Sequence, residues 1–197
     1  MKEILIATAN QHKVGEYRQM LEPHGYKVKS LLDFPPLEIE ETGSTFAENA
    51  LIKARALYDL LHMQVLADDS GLQIKALNDE PGVFSARYLG ENTPYHIKNQ
   101  IIIDTLKDHT DRRARFVCAI ALIDDKEEKV FMGEFDGQIA HEPKGNNGFG
   151  YDPIFYLEEY QMTAGELDPA LKNKISHRGK ALALVLPYLL HKDQENV

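Results

Sequence analysis

The sequence predicts an α/β fold built on a mixed β-sheet. Three observations carry that expectation. Short apolar runs alternate with helical apolar stripes in the first third of the chain. Two longer apolar runs, 116–123 and 130–139, flank Asp124-Asp125-Lys126 and read as an antiparallel hairpin. Strand–helix order early and hairpin order later argue against a fully parallel sheet. With 197 residues, 43 % of them apolar, the chain can bury a sizeable core, and a single domain over 1–197 is expected.

The elements follow in order. Ile4-Leu5-Ile6-Ala7 reads as a buried strand, and the helix after it carries Val14, Tyr17 and Leu21 on one face. His24-Gly25 stops that helix, and Tyr26 to Leu31 forms a second strand. Thr45-Phe46-Ala47-Glu48 matches a capping box that opens a helix to about Leu61. Its apolar stripe is Phe46, Ala50, Ala54, Leu57 and Leu61. Val65-Leu66 leads into Asp68-Asp69, then an alternating strand over Leu72 to Ala76. Pro81-Gly82 marks a turn. Thr93-Pro94 reads as a cap with proline at the first helical position, opening a helix to about Lys107. Gly145-Asn146-Asn147-Gly148 is a loop, and Thr163 to Glu166 offers a second capping box. Ser176 caps a last helix with Ala181, Leu184 and Leu189 buried. Pro187 should kink that helix or end its regular part. Lys192 to Val197 reads as a frayed tail.

Composition excludes several classes. No run of 18 apolar residues exists, so no transmembrane helix is expected. The N-terminal apolar stretch is too short for a signal peptide. The single cysteine, Cys118, lies in an apolar run and reads as a buried small hydrophobe in a reducing compartment, with the cytoplasm expected. A net charge of −9 argues against a duplex nucleic-acid binder, yet leaves room for a nucleotide enzyme with a few local cations.

Polar clusters carry the chemistry. Ala67-Asp68-Asp69-Ser70-Gly71 puts two adjacent carboxylates at the end of a buried strand, where desolvation and like charge are both costly. A hard divalent cation such as Mg²⁺ would relieve that cost; a plain polar turn is the other reading. Thr8-Ala9-Asn10-Gln11-His12-Lys13, between the first strand and helix, suits a phosphate, although an Asn10 N-cap beside a solvated Lys13 explains the same residues. Asn49 and Lys53 share a helix face, and Glu40-Glu41 could complete a metal site with Asp69. Arg87 could clamp a phosphate or pair with the acidic loops. Gly148-Phe149-Gly150-Tyr151-Asp152 could stack and hydrogen-bond a nucleobase, or simply turn the chain into a core strand. Lys172-Asn173 and Ser176-His177-Arg178 supply donors at a helix start. One acidic cluster facing several donor clusters is the pattern of a metal–triphosphate site with a base pocket.

These motifs resemble a known family. Thr8, Asn10 and Lys13 stand in its first motif. Thr45-Phe46 with Glu48-Asn49-Ala50 and Lys53-Ala54 stand in its second, and Ala67 to Leu72 form the third. Pro81-Gly82 with Ser85-Ala86-Arg87-Tyr88, Gly148 to Pro153 and Ser176-His177-Arg178 complete the set in order. The chain closely resembles the inosine/xanthosine triphosphate pyrophosphatases over residues 1 to about 190. The resemblance implies a central elongated mixed sheet, helices in two lobes, and an active-site cleft between them. It implies a homodimer, Mg²⁺ dependence, and hydrolysis of ITP, dITP and XTP to the monophosphate and pyrophosphate. Such an enzyme cleanses the nucleotide pool of deaminated purines. Carried over, Thr8, Ala9, Asn10, Gln11, His12 and Lys13 hold the triphosphate. Glu40 and Asp69 ligate Mg²⁺, with Glu41 the rival of Glu40, and Asp69 also accepts the proton of the attacking water. Ser70 touches substrate; Phe149, Gly150, Tyr151 and Asp152 form the base-side wall; Lys172, His177 and Arg178 complete recognition. From the chemistry, Lys13 and Lys53 would stabilise the departing pyrophosphate. A dTTP/UTP pyrophosphatase of related fold, a metal-dependent phosphomonoesterase and a non-catalytic nucleotide sensor are the competing functions.

Overall fold

A computed structural model describes residues 2–35, 37 and 39–195. It contains eight strands and five α-helices among those residues. In chain order they are β1 (Lys2–Ile6), α1 (Gln11–Leu21), β2 (Tyr26–Ser30), α2 (Phe46–Leu61), β3 (Val65–Ile74), β4 (Glu80–Pro81) and α3 (Tyr95–Thr105). Then come β5 (Arg113–Ile123), β6 (Glu128–Ile139), β7 (Phe155–Leu157), β8 (Met162–Thr163), α4 (Pro169–Ile175) and α5 (His177–Glu195). The strands form one sheet in the order β2-β1-β3-β5-β6-β7-β8, with β4 paired to β3. β1 runs parallel to β2 and to β3. The pairs β3–β4, β6–β7 and β7–β8 are antiparallel. The sheet is therefore mixed, as the sequence pattern requires.

The chain divides into two compact units. The first comprises residues 1–69, 118–133 and 177–197. The second comprises 70–117 and 134–176. In the first unit, Ile4 and Ile6 of β1, Tyr17 and Leu21 of α1, and Ile120 and Leu122 of β5 pack with Leu182, Val185 and Leu189 of α5. In the second, Leu72 and Ile74 of β3 pack with Ile102 and Ile103 of α3, Phe116, Phe135 and Phe155.

Local signals explain the helices that matter for function. Asn10 caps α1, its side chain accepting from the backbone N–H of His12 and Lys13, and Val14, Tyr17 and Leu21 form the buried stripe. The capping box of α2 is present in both directions, Thr45 with Glu48, and the helix buries Phe46, Ala50, Ala54 and Leu57. Asn49 is buried on that same helix, a polar residue in an otherwise apolar seam.

The structure departs from the sequence expectation at several points. Asp68-Asp69 is no turn: β3 runs unbroken from Val65 to Ile74, while Lys75-Ala76, expected in the strand, begins a 3₁₀ turn. Thr93 does not cap α3. Its hydroxyl donates to the Leu89 carbonyl, and Pro94 occupies the cap position. Thr163–Glu166 makes the side-chain half of a capping box, but the Thr163 hydroxyl also binds the Lys144 carbonyl and no helix follows. The short α4 replaces it, opened by Asp168 and Pro169. On α5, which begins directly after Ser176, Ala181 and Leu189 are buried but Leu184 is exposed; Leu182 and Val185 take the core positions. The helix continues through Pro187 to Glu195. Lys192 is tied to Asp124 and Glu127 rather than frayed, and residues 196–197 of the expected tail lie outside the described residues. Among the described residues no helix is long and apolar enough to cross a membrane.

Candidate active site

Alternation along β3 sends the two aspartates to opposite faces of the strand. In the first unit their surroundings differ accordingly. The Asp68 side chain is wholly buried. It pairs with Lys13 of α1 at 3.0 Å. It also accepts from Arg178 of α5, at 2.9 Å from Nη2 and 3.3 Å from Nε. Arg178 reaches on from Nη1 to Glu16 at 2.6 Å. The Cys118 thiol lies 3.9 Å from the same Asp68 oxygen. Burial by itself would raise the Asp68 carboxyl; Lys13, Arg178 and Lys53 outweigh that and hold it well below the usual carboxylate range. Burial, with the Asp68 charge adding to it, pushes the Cys118 thiol up to about 12, so this cysteine is an inert core residue as the sequence suggested.

Asp69 faces α2. Its Oδ2 accepts from Asn49 Nδ2 at 3.0 Å, and its Oδ1 lies 3.9 Å from Lys53 Nζ. The face shared by Asn49 and Lys53 is thus aimed at one carboxylate. The Asn49 amide is held in register by its other end, because its Oδ1 accepts from the Gly43 backbone N–H at 2.8 Å. Gly43 has to be small there: a Cβ would stand 2.7 Å from that oxygen. The loop so anchored presents Glu41, 3.0 Å from Lys53 Nζ. Lys53 also donates to the Asp68 carbonyl at 2.8 Å. Glu40 is exposed to solvent, whereas Glu41 is half-buried beside Lys53. Burial raises the Asp69 carboxyl and the Glu41 charge adds to the rise, against the pull of Lys53 and Asn49.

This donor set fits a hard divalent cation. Asp69 and Glu41 gather around one ammonium, and their like charge is felt at Asp69, which a cation would relieve. Among the described residues there is no group of three or more His, Cys, Asp or Glu side chains placed to hold a metal. Mg²⁺ commonly takes only one or two carboxylates and completes its shell with phosphate oxygens and water.

Around the start of α1, Thr8 is buried and its hydroxyl accepts from the Asn10 N–H at 3.1 Å. Ala9, Asn10, Gln11 and His12 are exposed. Lys13 is half-buried and ion-paired, so the alternative of a solvated lysine does not hold. His177 and Arg178 open α5 in this same unit, both buried.

The second unit holds a different kind of cluster. Asp152 clips the loop 148–152 closed: its Oδ2 accepts from the Phe149 N–H at 2.8 Å and pairs with Lys172 at 2.6 Å. Lys172 Nζ also lies 5.1 Å from the centre of the Phe149 ring, a cation–π contact. Gly148 is left-handed at φ +76°, and a Cβ there would meet Asp152 Oδ2 at 2.2 Å. Tyr151 is buried, its hydroxyl donating to the Ser85 carbonyl at 2.7 Å and its ring edge-on to Tyr95. Asn99 of α3 braces the loop from behind by donating to the Gly150 carbonyl at 3.1 Å. Phe149 and Gly150 are half-buried and help line a concavity of about 450 Å³ with Tyr95, His96, Asn99 and Asn147. Ser70, next after Asp69 on β3, is half-buried. Arg87 is exposed and lies over the Phe84 ring at 4.9 Å; among the described residues no ion pair to an acidic loop is formed.

Residues 4–188 match the model of the Ham1 family. The chain belongs to the Ham1 family. A relative from Coxiella burnetii, named a dITP/XTP pyrophosphatase, is 48 % identical over 187 residues, covering 92 % of this chain and 94 % of the relative. A dITP/XTP pyrophosphatase from Staphylococcus aureus is 44 % identical over 191 residues, covering 96 % and 97 %. The solved Ham1 protein of Coxiella burnetii superposes with a TM-score of 0.89 at 46 % identity, over 97 % of this chain and all of that one. The Staphylococcus aureus Ham1 structure gives 0.87 at 44 % identity over the same shares.

In this Ham1 chain the motif residues Lys13, Asn49, Lys53 and Arg178 of the first unit meet at the two aspartates. Glu16 was not singled out by sequence. It sits one helical turn after Lys13 in α1, a spacing that could have drawn attention to it. Nor was Asn99, whose neighbourhood in α3 carries no motif.

Proposed function

We propose that this chain is a Mg²⁺-dependent nucleoside triphosphate pyrophosphatase acting on deaminated purine nucleotides: dITP, ITP and XTP. Water attacks the α-phosphorus, the α–β anhydride bond breaks, and the products are the nucleoside monophosphate and pyrophosphate. The names of the Coxiella burnetii and Staphylococcus aureus relatives support the substrate class. The observation that carries the chemistry is the Asp69 carboxylate, buried and oriented by Asn49 beside Lys53 and Glu41.

The roles follow from this geometry. Asp69 accepts the proton of the attacking water. Asp69 with Glu41 is the pair proposed to hold Mg²⁺; Glu41 takes this part rather than Glu40 because it is the side chain brought to Lys53. When bound, the ion neutralises phosphate charge and acidifies water. Thr8 through Lys13 bind the triphosphate, with the N-terminal N–H groups of α1 adding donors. Lys13 and Lys53 stabilise the charge of the departing pyrophosphate. In the second unit, Phe149 is the stacking surface and the Asp152 clip keeps its loop in shape. Lys172 and Ser70 touch the nucleotide. Backbone N–H groups near Tyr151-Asp152 or Ser176-His177 are the proposed donors to a purine 6-oxygen; the Arg178 guanidinium itself is committed to Asp68 and Glu16. An adenine 6-amino group would set hydrogens against those donors, a mismatch that can discriminate by up to about 10⁴-fold.

The chain is a single domain over 1–197, in the cytoplasm, and works as a homodimer. Phe84, Leu89, Ile97 and Ile101 leave apolar surface exposed in the second unit, which suits an interface. Steady-state kinetics with ITP, XTP, ATP, dTTP and UTP, with and without Mg²⁺, test the reading. Turnover of ITP and XTP well above the rest, lost on chelation, is expected. Equal turnover of ATP and ITP would refute the base selection. Preference for dTTP or UTP would favour the pyrimidine enzyme, and tight binding without turnover a sensor.

A further inference from the structure

We infer that Asp68 is a positioning residue for phosphate binding: it fixes the Lys13 ammonium in advance, so that the donors left over meet a polyphosphate without a search. The inference rests on the proposed role of Lys13 as a triphosphate ligand.

Four observations carry it. Asp68 and Asp69 are adjacent but face different partners, so they are not interchangeable members of one acidic pair. The Asp68 side chain has no solvent exposure and is held by Arg178 through two nitrogens, while Arg178 is itself held by Glu16. This carboxylate is therefore a rigid reference point inside the first unit. Lys13 sits on the first turn of α1, fixed by the Asn10 cap, and its ammonium lies 3.0 Å from Asp68 with the side chain 16 % exposed. A lysine ammonium carries three donors, of which one aimed at Asp68 sets the direction of the other two.

Energetic logic makes the pairing durable. A buried carboxylate deprived of a cation is strongly disfavoured, so Lys13 stays with Asp68 when a phosphate arrives instead of exchanging partners. The ordering of a long, flexible side chain has already occurred on folding. Asp68 then contributes to substrate affinity without touching substrate.

The test is a double-mutant cycle read by calorimetric binding of α,β-methylene-ITP, whose carbon bridge resists cleavage, in Mg²⁺. Asp68→Asn should bind it about tenfold more weakly than wild type, the scale of one charge-assisted hydrogen bond. Lys13→Met should lose at least as much. The double variant should be no weaker than Lys13→Met alone, because Asp68 acts only through Lys13. Affinity of Asp68→Asn within twofold of wild type overturns the inference, as does a double variant whose loss is the product of the two single losses. Failure of wild type to bind the analogue would instead overturn the functional reading, and this inference with it. Should Asp68→Asn not fold, the wild-type lysine side-chain ¹⁵N spectrum decides. A resolved, slowly exchanging ammonium signal that disappears in Lys13→Met is expected before any nucleotide is added. A Lys13 signal averaged like those of solvated surface lysines contradicts the inference.

Discussion

The two units handle charge in opposite ways. In the first, three cations and four carboxylates interlock within a few ångströms: Lys13, Lys53 and Arg178 with Glu16, Glu41, Asp68 and Asp69. In the second, the buried pair of Lys172 with Asp152 shapes a glycine loop under an aromatic ring, and other pairs, such as Lys75 with Asp79 and Arg115 with Asp136, lie at the surface. A polyphosphate and its metal need the first arrangement, because their charge must be met by preset dipoles and ions. A purine ring needs the second, a flat surface and a few directed donors. Substitutions at Asp69 and its metal partner in the first unit should therefore damage the chemical step, whereas those at the phosphate-binding Lys13 and in the second unit should damage substrate affinity.

The largest expected effect is at Asp69. Asp69→Asn keeps the shape and the Asn49 contact site but removes the base, so kcat for ITP should fall by at least about 10²-fold with the fold intact by circular dichroism. A variant within a few-fold of wild type would break the comparison at its strongest point. Next comes the metal. Glu41→Gln should raise the Mg²⁺ concentration for half-maximal activity by about tenfold, while Glu40→Gln should leave it within about twofold. The reverse ranking would return the ligand role to the exposed Glu40.

In the second unit, Phe149→Ala should raise KM for ITP by about tenfold, the scale of one lost base-stacking contact, with kcat changed far less. An equal drop in kcat would erase the division between the units. Gly148→Ala forces a Cβ against Asp152 in a left-handed backbone, and should lower Tm and raise KM together.

The smallest effect concerns acid stability. Asp68 has a depressed folded pKa, so the stability it contributes is complete above the ordinary value of about 3.9 and is lost as pH falls through the lower folded value. Asp69 is raised, so its burial opposes folding above that ordinary value and ceases to oppose it once protonated. Denaturant midpoints between pH 6 and pH 3 should thus fall more steeply for wild type than for Asp68→Asn, and the opposite slope order is expected for Asp69→Asn. Parallel curves for all three proteins would show that the two aspartates are equivalent after all.

How far the sequence revealed this depends on the range of the signals involved. The α2 capping box and its apolar stripe are local, and the structure keeps both. Asn49 and Lys53 share a face by helical arithmetic alone, and both meet Asp69. The Thr163 box used the same residue types, yet a hydroxyl bond to Lys144, far away in sequence, drew it into a turn. α4 has only seven residues, too few for a periodic stripe, although Asp168-Pro169 was a readable start. Strand alternation says that Asp68 and Asp69 part company; it does not say which faces the cations of α1 and α5. That assignment, and the choice between Glu40 and Glu41, depends on where distant helices and the Gly43 loop come to rest.

The most direct test of the central claim is ³¹P NMR of ITP turnover in ¹⁸O-water with Mg²⁺. The oxygen label is expected in the phosphate of the nucleoside monophosphate, with unlabelled pyrophosphate as the other product. Label in pyrophosphate, or release of orthophosphate, would place the attack on a different phosphorus and contradict the account.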